Sequence, residues 1–337
     1  MQSKLNRGYP FWIVVFISVL LLSLATVYAQ VNDLSVRFIR IQQEKVHLQM
    51  MGGVAGNPWQ YRILADWMIS FLITWVNGLD IAQPELVSFI AFRFLQCVLI
   101  FLVAAIYYRK LGLSLLANLL GLSVLAWGMS YALYNSDLSF NNYFDVAFYL
   151  IAANLIVSRT LIWIIPLMVI ASFNRETSAL IPIMALTYTY FGLDGKAKLK
   201  SALFPALAGI VIFVIIFAGL RYYYGEQMFL TADGFYPGFG LFYLNLKRVV
   251  TWEQLFITFG LLPLLAILAY SEWPQSLKIF FWTVVPLWMA IHFFSSLVAE
   301  TRLLLVPYAL VFIPGVLFGI MSHTPTARQD IAEAKTG

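Results

Sequence analysis

Apolar runs long enough to cross a bilayer recur along this chain from residue 10 to residue 321. A hydrocarbon core about 30 Å thick takes about 20 apolar residues of α-helix to span. No water there satisfies backbone N–H and C=O groups, so such a pattern folds as helices that bond internally. Hydrophobic residues make up 61% of the 337 and charged ones 11%, whereas a soluble domain carries roughly 25% charged residues. The fold class is therefore all-α: one polytopic helical membrane bundle over residues 1–321, followed by a cytoplasmic tail, 322–337. The lone cysteine, Cys97, excludes an internal disulfide framework and a Cys-based metal site. A net charge of +5 suits contact with anionic lipid, and no basic cluster points to nucleic acid.

Lys4 and Arg7 precede the first run, and Val27-Tyr28-Ala29 resembles a signal-peptidase site. The run 11–27 is long for a signal peptide, and a whole bundle follows. Residues 10–30 are therefore read as an uncleaved first span with a cytoplasmic N-terminus. After it, Leu34, Phe38, Ile41 and Leu48 recur at helical spacing, and Asp33, Arg37, Arg40, Glu44 and His47 fall on another face. That pattern predicts an amphipathic helix on the outer membrane surface. Residues 63–78 are short and interrupted by Asp66, so they either span or skim the membrane. Skimming is preferred, because it puts Arg109-Lys110 inside. The remaining spans are then 87–108, 113–133, 144–158, 160–173, 177–193, 201–220, 253–271, 277–296 and 303–321. That makes ten spans with both termini cytoplasmic. Arg159, Lys196, Lys198, Lys200, Lys278, Arg328 and Lys335 all fall inside. The outer segments are 31–86, 134–143 and 221–252. The three spans from 144 to 193 are short for the bilayer core and predict a hollow near residues 173–177. No internal repeat of the transporter type is evident.

Ionisable side chains inside or at the edge of such spans are costly and mark partners, cavities or substrates. Here they are Arg93, the pair Arg175-Glu176, and Glu300 with Arg302. On this topology Asp33, Arg62, Asp137, Asp145 and Arg221 join them near the outer face, with Arg93 a turn or two deeper. A cluster of this kind beside lipid suits a lipid-linked phosphate or pyrophosphate, whose oxygens a planar guanidinium grips in two places.

The pattern resembles the GT-C class of membrane glycosyltransferases, which use polyprenyl-phosphate-linked sugars outside the cytoplasm. Asp33 follows the first span at once. The segment Asn57-Pro58-Trp59-Gln60-Tyr61-Arg62-Ile63-Leu64 is similar to the stretch before that family's membrane-skimming helix. Arg93 opens the next span, Asn174-Arg175-Glu176-Thr177 is similar to the family's hairpin turn, and Glu300-Thr301-Arg302 with Pro307 and Pro314 is similar to its last-span motif. The resemblance implies a bacterial plasma (inner) membrane location, a polyprenyl-phosphate-linked sugar donor, and contact with membrane lipid. It implies that Asp33 is the general base and that Arg175 and Arg302 hold the lipid-phosphate leaving group, with Arg62, Arg93, Glu176 and Glu300 as further substrate-binding residues. Many members carry two adjacent acids after the first span, whereas Leu34 follows Asp33 here. A divalent metal is thus left open, and no other cofactor is implied.

Plainer readings stand beside these. Asp33–Arg37 and Arg40–Glu44 are spaced as helix-stabilising ion pairs. Arg93 and Arg302 at span edges suit snorkelling to headgroups. Arg175-Glu176 suits a brace for a hairpin, and His47 and His292 suit buried structural histidines. Tyr222, Tyr223, Tyr224 and Tyr236 suit an interface belt or a sugar-binding rim. As whole-protein alternatives, a transporter or flippase for a lipid-linked or anionic solute would spread its charges through the membrane depth. A non-catalytic GT-C-like accessory subunit would act with a membrane protein partner.

Overall fold

The bundle is organised around one long helix. In the computed structural model, residues 9–133, 137–192, 199–231 and 234–322 are described. The expected positions Lys4, Arg7, Lys196, Lys198, Arg328 and Lys335 lie outside them, as does nearly all of the tail. Among the described residues no strand forms, and one isolated bridge joins Asn57 to Phe229. Helix α1 (Tyr9–Leu34) packs on α4 (Pro84–Lys110) and α5 (Leu115–Tyr131). Helix α4 also carries α3 (Leu64–Asn77) along one flank and α6 (Phe140–Val157) along another. The short helices α7 (Ile164–Ala171) and α8 (Leu180–Phe191) lean on α9 (Leu199–Tyr224). Beyond α9 come α10 (Phe239–Lys247), α11 (Val249–Phe259), α12 (Leu262–Leu268), α13 (Gln275–Ser295) and α14 (Thr301–Ser322).

Six helices (α1, α4, α6, α9, α13 and α14) are long and apolar enough to cross a membrane. The pair α11–α12, bent by 70° at Gly260-Leu261, makes a seventh if it acts as one span. The chain is accordingly an integral membrane protein. The other expected spans correspond to α5, α7 and α8, which are shorter than a full crossing. Helix α6 starts at Phe140, four residues before the expected span, so part of the expected outer segment 134–143 is helical.

The first expected surface helix is broken. Ser35 adopts φ 68° and stops α1, and its hydroxyl accepts from Phe38 N to cap the next helical stretch, α2 (residues 36–51). Asp33 and Arg37 therefore lie on different helices, which removes their reading as an ion pair along one helix. Helix α2 buries Ile39, Gln43, His47 and Met50 and leaves Ile41 and Leu48 exposed. His47 is thus turned inward, away from the polar face expected for it.

Helix directions sort the charges. Gln30 near the end of α1 donates to Met129 O and Tyr143 Oη, so that end meets the end of α5 and the start of α6. At the opposite end Arg109 lies over the Phe11 ring and Lys110 donates to Ser158 Oγ. Following the alternation of the helices, Arg109, Lys110, Arg159, Lys200 and Lys278 gather at that second end.

Helix α14 is closely seated at two glycines. Gly315 and Gly319, four apart, face the turn after α12. A Cβ at Gly315 would lie 2.6 Å from the Trp273 ring, and one at Gly319 2.5 Å from Ala269 Cβ. Small residues at this spacing let membrane helices pack backbone to backbone. Gly315→Ala is expected to cost about 1–3 kcal/mol by overpacking, read as a lowered unfolding midpoint in detergent. An unchanged midpoint would contradict this seating of α14.

Candidate functional site

The start of α6 and the hairpin between α7 and α8 build the polar centre together. Asn174, fully buried, donates through Nδ2 to Asn141 O and to Asp145 Oδ1, each at 2.8 Å. This pins the hairpin onto α6. Arg175 is extended at the next position, and residues Glu176–Ala179 form a 3-10 turn leading into α8. Arg175 turns into the bundle, where Nη1 lies 3.2 Å from Asp145 Oδ2 and donates to Asn142 Oδ1. Thr177 Oγ1 donates 3.0 Å to the same Asp145 carboxylate. Glu176 faces the other way, with Oε2 3.1 Å from Arg62 Nε and 3.0 Å from Arg62 Nη2, and Oε1 3.7 Å from Arg221 Nη2.

Arg62 is delivered by a loop tied at several points. Asn57 N donates to Met228 O, Leu230 N donates to Asn57 O, Tyr61 Oη donates to Gly225 O, and Leu64 N donates to Phe173 O. A small cluster of Met50, Tyr61, Ile63 and Leu220 seats the loop against the end of α9. From the far side of the bundle comes Arg302, in the first turn of α14, with Nη2 2.7 Å from Glu300 Oε2.

These groups enclose a cavity of about 670 Å³ at the end of the bundle where α6, α8 and α14 begin and α7 and α13 finish. Arg62, Arg175, Glu176, Glu300 and Arg302 all line it, beside Asn142, Thr177 and His292. Phe229, Leu230, Phe235 and Leu241 supply an apolar wall. The cavity lies at the hairpin where the short spans predicted a hollow. Three guanidinium groups face two carboxylates across it, and adding Arg221 and Asp145 behind makes four against three, so positive charge is in excess by one either way. Arg175 is 4% exposed and Arg302 4% exposed. Even so, Nε of Arg175 and both Nε and Nη1 of Arg302 have no hydrogen-bond partner. Buried donors left unpaired cost about 1–3 kcal/mol each, and more when charged, so these mark where an acceptor is missing. Burial pushes the Arg175 pKa down to about 10, which leaves it cationic at neutral pH. For Glu176, burial acts upward, but the Arg62 charge, backbone hydrogen bonding and the Arg175 charge outweigh it and hold the carboxyl below its ordinary range.

Two of the sequence-predicted residues stand apart. Asp33 is exposed on the last turn of α1 and is not among the residues that line the cavity. Asp33 and Arg175 therefore do not share this cavity. The inward polar position at that end of α1 belongs to Gln30, and Ser35 turns the chain away just beyond. Arg93 is buried inside the bundle. Its Nη1 donates to Gln96 Oε1, and its guanidinium lies 3.7 Å from the Tyr143 ring centroid and 5.0 Å from that of Phe140. Neither it nor Arg302 snorkels. Tyr222, Tyr223 and Tyr236 are exposed and do not line the cavity either.

The sequence pattern gives no role to Asn142, which falls in the expected outer segment 134–143, and places Asn174 only as part of the hairpin motif. In the structure Asn142 lies on α6 between Phe140 and Phe148, where every residue is buried, and Asn174 lies in the hairpin. Among the described residues no group of three or more His, Cys, Asp or Glu is placed to hold a metal ion. No protein-family model, curated protein or solved structure matches the chain.

Proposed function

We propose that this chain is a GT-C-like membrane glycosyltransferase that takes a polyprenyl-phosphate-linked sugar into the cavity and passes the sugar to an acceptor at the outer face of a bacterial plasma membrane. In this reading the ten apolar segments act as spans, α3 skims the surface, and both termini are cytoplasmic. The supporting observation is the set of buried guanidinium donors of Arg175 and Arg302 that lack partners on the cavity wall. A phosphate oxygen supplies the missing acceptors, and charge-assisted bonds of this kind are about twice as strong as neutral ones. As the bond to the anomeric carbon breaks, negative charge grows on that phosphate, and the same donors stabilise it. The aromatic and aliphatic wall at Phe229, Leu230 and Phe235 accepts the less polar part of the donor.

The acceptor hydroxyl needs a base within reach. Asp33, the residue implied by the family resemblance, is not on the cavity. Glu176 is held ionised between Arg62 and Arg221, and a depressed pKa makes a weak base. In this reading the role falls to Glu300, the other wall carboxylate, itself ion-paired to Arg302 at 2.7 Å. Glu300→Gln is expected to slow transfer about 10²–10⁴-fold while keeping donor binding, and Asp33→Asn to leave transfer unchanged. The assay is sugar transfer from a polyprenyl-phosphate donor in reconstituted liposomes. Loss of transfer in Asp33→Asn together with full activity in Glu300→Gln would reverse the assignment.

One observation favours a second reading. Both wall carboxylates are ion-paired, and Asp33 is elsewhere, which fits a non-catalytic member that holds a lipid phosphate for a membrane partner. Phosphate-dependent lipid binding with no transfer from any donor, together with a co-purifying membrane protein, would support it.

A further inference from the structure

Away from the cavity, the facing sides of α2 and α3 bring three side chains into line. His47 Nδ1 lies 2.8 Å from Asp66 Oδ1, and His47 Nε2 lies 3.2 Å from Ser70 Oγ. Asp66 and Ser70 are one turn apart on α3, so one ring nitrogen reaches each. A carboxylate only accepts, so Nδ1 carries the ring proton and donates it to Asp66. Nε2 then keeps a lone pair, and the Ser70 hydroxyl donates to it. That is the tautomer and the order of contacts by which a histidine takes a proton from a serine, an arrangement recognised by geometry and roles on unrelated folds. The ring is also held sideways by an edge contact with Phe89, centroids 5.8 Å apart. The His47 and Asp66 side chains are 7% and 15% exposed, while Ser70 is half-buried and open to the surface. None of the three lines the cavity described above.

The two helices that carry the three residues are amphipathic. On another face of α3, not lined by any of the three, an apolar groove of about 450 Å³ runs along α4, walled by Trp67, Met68, Phe71 and Phe92. On the outward face of α2, again not lined by any of the three, lies a groove of about 490 Å³ walled by Arg40, Glu44 and Lys45 with Ile41, Leu48 and Val54. We propose that Ser70 is a nucleophile, activated by His47 and oriented through Asp66, toward the acyl ester of an amphipathic lipid. Ser70 Oγ bonds to the ester carbonyl carbon and its proton passes to His47 Nε2. The bond from that carbon to the leaving alcohol breaks, and the alcohol departs with the proton from Nε2. Water then attacks the acyl-serine, giving its proton to Nε2 as its oxygen bonds to the carbon, and the free acid and Ser70 hydroxyl are restored. The backbone N–H groups around Ser70 are bonded within α3 and supply no oxyanion hole. The relay therefore contributes about 10²–10⁴-fold on its own, and turnover is slow.

Covalent capture reads this better than turnover. The full chain in phosphatidylcholine nanodiscs is treated with an alkyl fluorophosphonate, and the adduct is mapped by mass spectrometry. The expected result is an adduct on Ser70. Ser70→Ala should abolish it, and His47→Gln should slow it about 100-fold or more. Asp66→Asn keeps the shape and removes the charge, so it slows labelling without parting α2 from α3. An intact wild type with no Ser70 adduct overturns the proposal. So does equal labelling of wild type and a folded His47→Gln or Asp66→Asn variant. In either case the three residues only tie α2 to α3.

Discussion

Arg175→Met will destabilise the bundle by about 3–5 kcal/mol, because it leaves the Asp145 carboxylate buried without its charge partner. Asp145 is 2% exposed, and its remaining neighbours, Asn174 and Thr177, offer neutral donors only. The double variant Arg175→Met/Asp145→Asn removes both charges and keeps one oxygen to accept from Asn174, while the new amide N–H can donate to the Thr177 hydroxyl. It should recover most of the loss, since replacing a buried pair outright is far cheaper than breaking it. Chemical unfolding in mixed micelles reads the difference. Equal destabilisation of the single and double variants would mean that the ion pair is not the element holding the hairpin to α6. In both variants the cavity loses a guanidinium, so neither should bind a lipid phosphate well. Stability and binding thus separate in the double variant.

Arg302→Gln is expected to act mainly on binding. Its Nε and Nη1 have no protein partner, and its one ion pair is to Glu300, whose side chain is 23% exposed and accessible to water. Hydrogen bonds to charged groups contribute about 1.5–3 kcal/mol each, which corresponds to about 10–100-fold in affinity. Polyprenyl phosphate should weaken by that factor, and neutral polyprenol should not change. Arg302→Lys should recover only part, because a point charge cannot reproduce the planar fork. Equal weakening of phosphate and alcohol would place the effect on packing instead.

The membrane bundle was legible because apolar run length reports bilayer thickness directly. Most of the cavity was legible for a related reason: a charge inside a greasy helix is expensive, so Arg175, Glu176, Glu300 and Arg302 announced a shared environment before any fold was known. Their convergence followed from helix direction alone, since each sits where a span starts or ends on one side. Asp33 failed the same test because lying one residue past a span fixes its end of the bundle and not the way it faces. Gln30 holds the inward polar position at that end, and Ser35 ends the helix just beyond at φ 68°, which nothing in the residue type announces. Arg93 shows the other limit. Its depth was readable, but its partners, the rings of Tyr143 and Phe140, come from a helix start that the pattern read as loop. Asn141-Asn142 look like loop residues until Asn174 is seen to donate to Asn141 O and Arg175 to Asn142 Oδ1. His47 was assigned to the polar face because its spacing matched Arg40 and Glu44, yet the π turn at Ile39–Gln43 shifts the register and rotates it inward.

In the proposed reading the arginine-lined cavity receives the phosphate of a lipid-linked substrate. A polyprenyl phosphate carrying a photoreactive group beside the phosphate, incorporated in nanodiscs with the full chain, tests it directly. Crosslinks should concentrate on Trp59, Phe229, Phe235 and Leu241, and should be lost on competition with unlabelled polyprenyl phosphate but not with polyprenol. Crosslinks confined to outward residues such as Phe204, Val211 and Ile215 on α9, or competed equally by the alcohol, would contradict it.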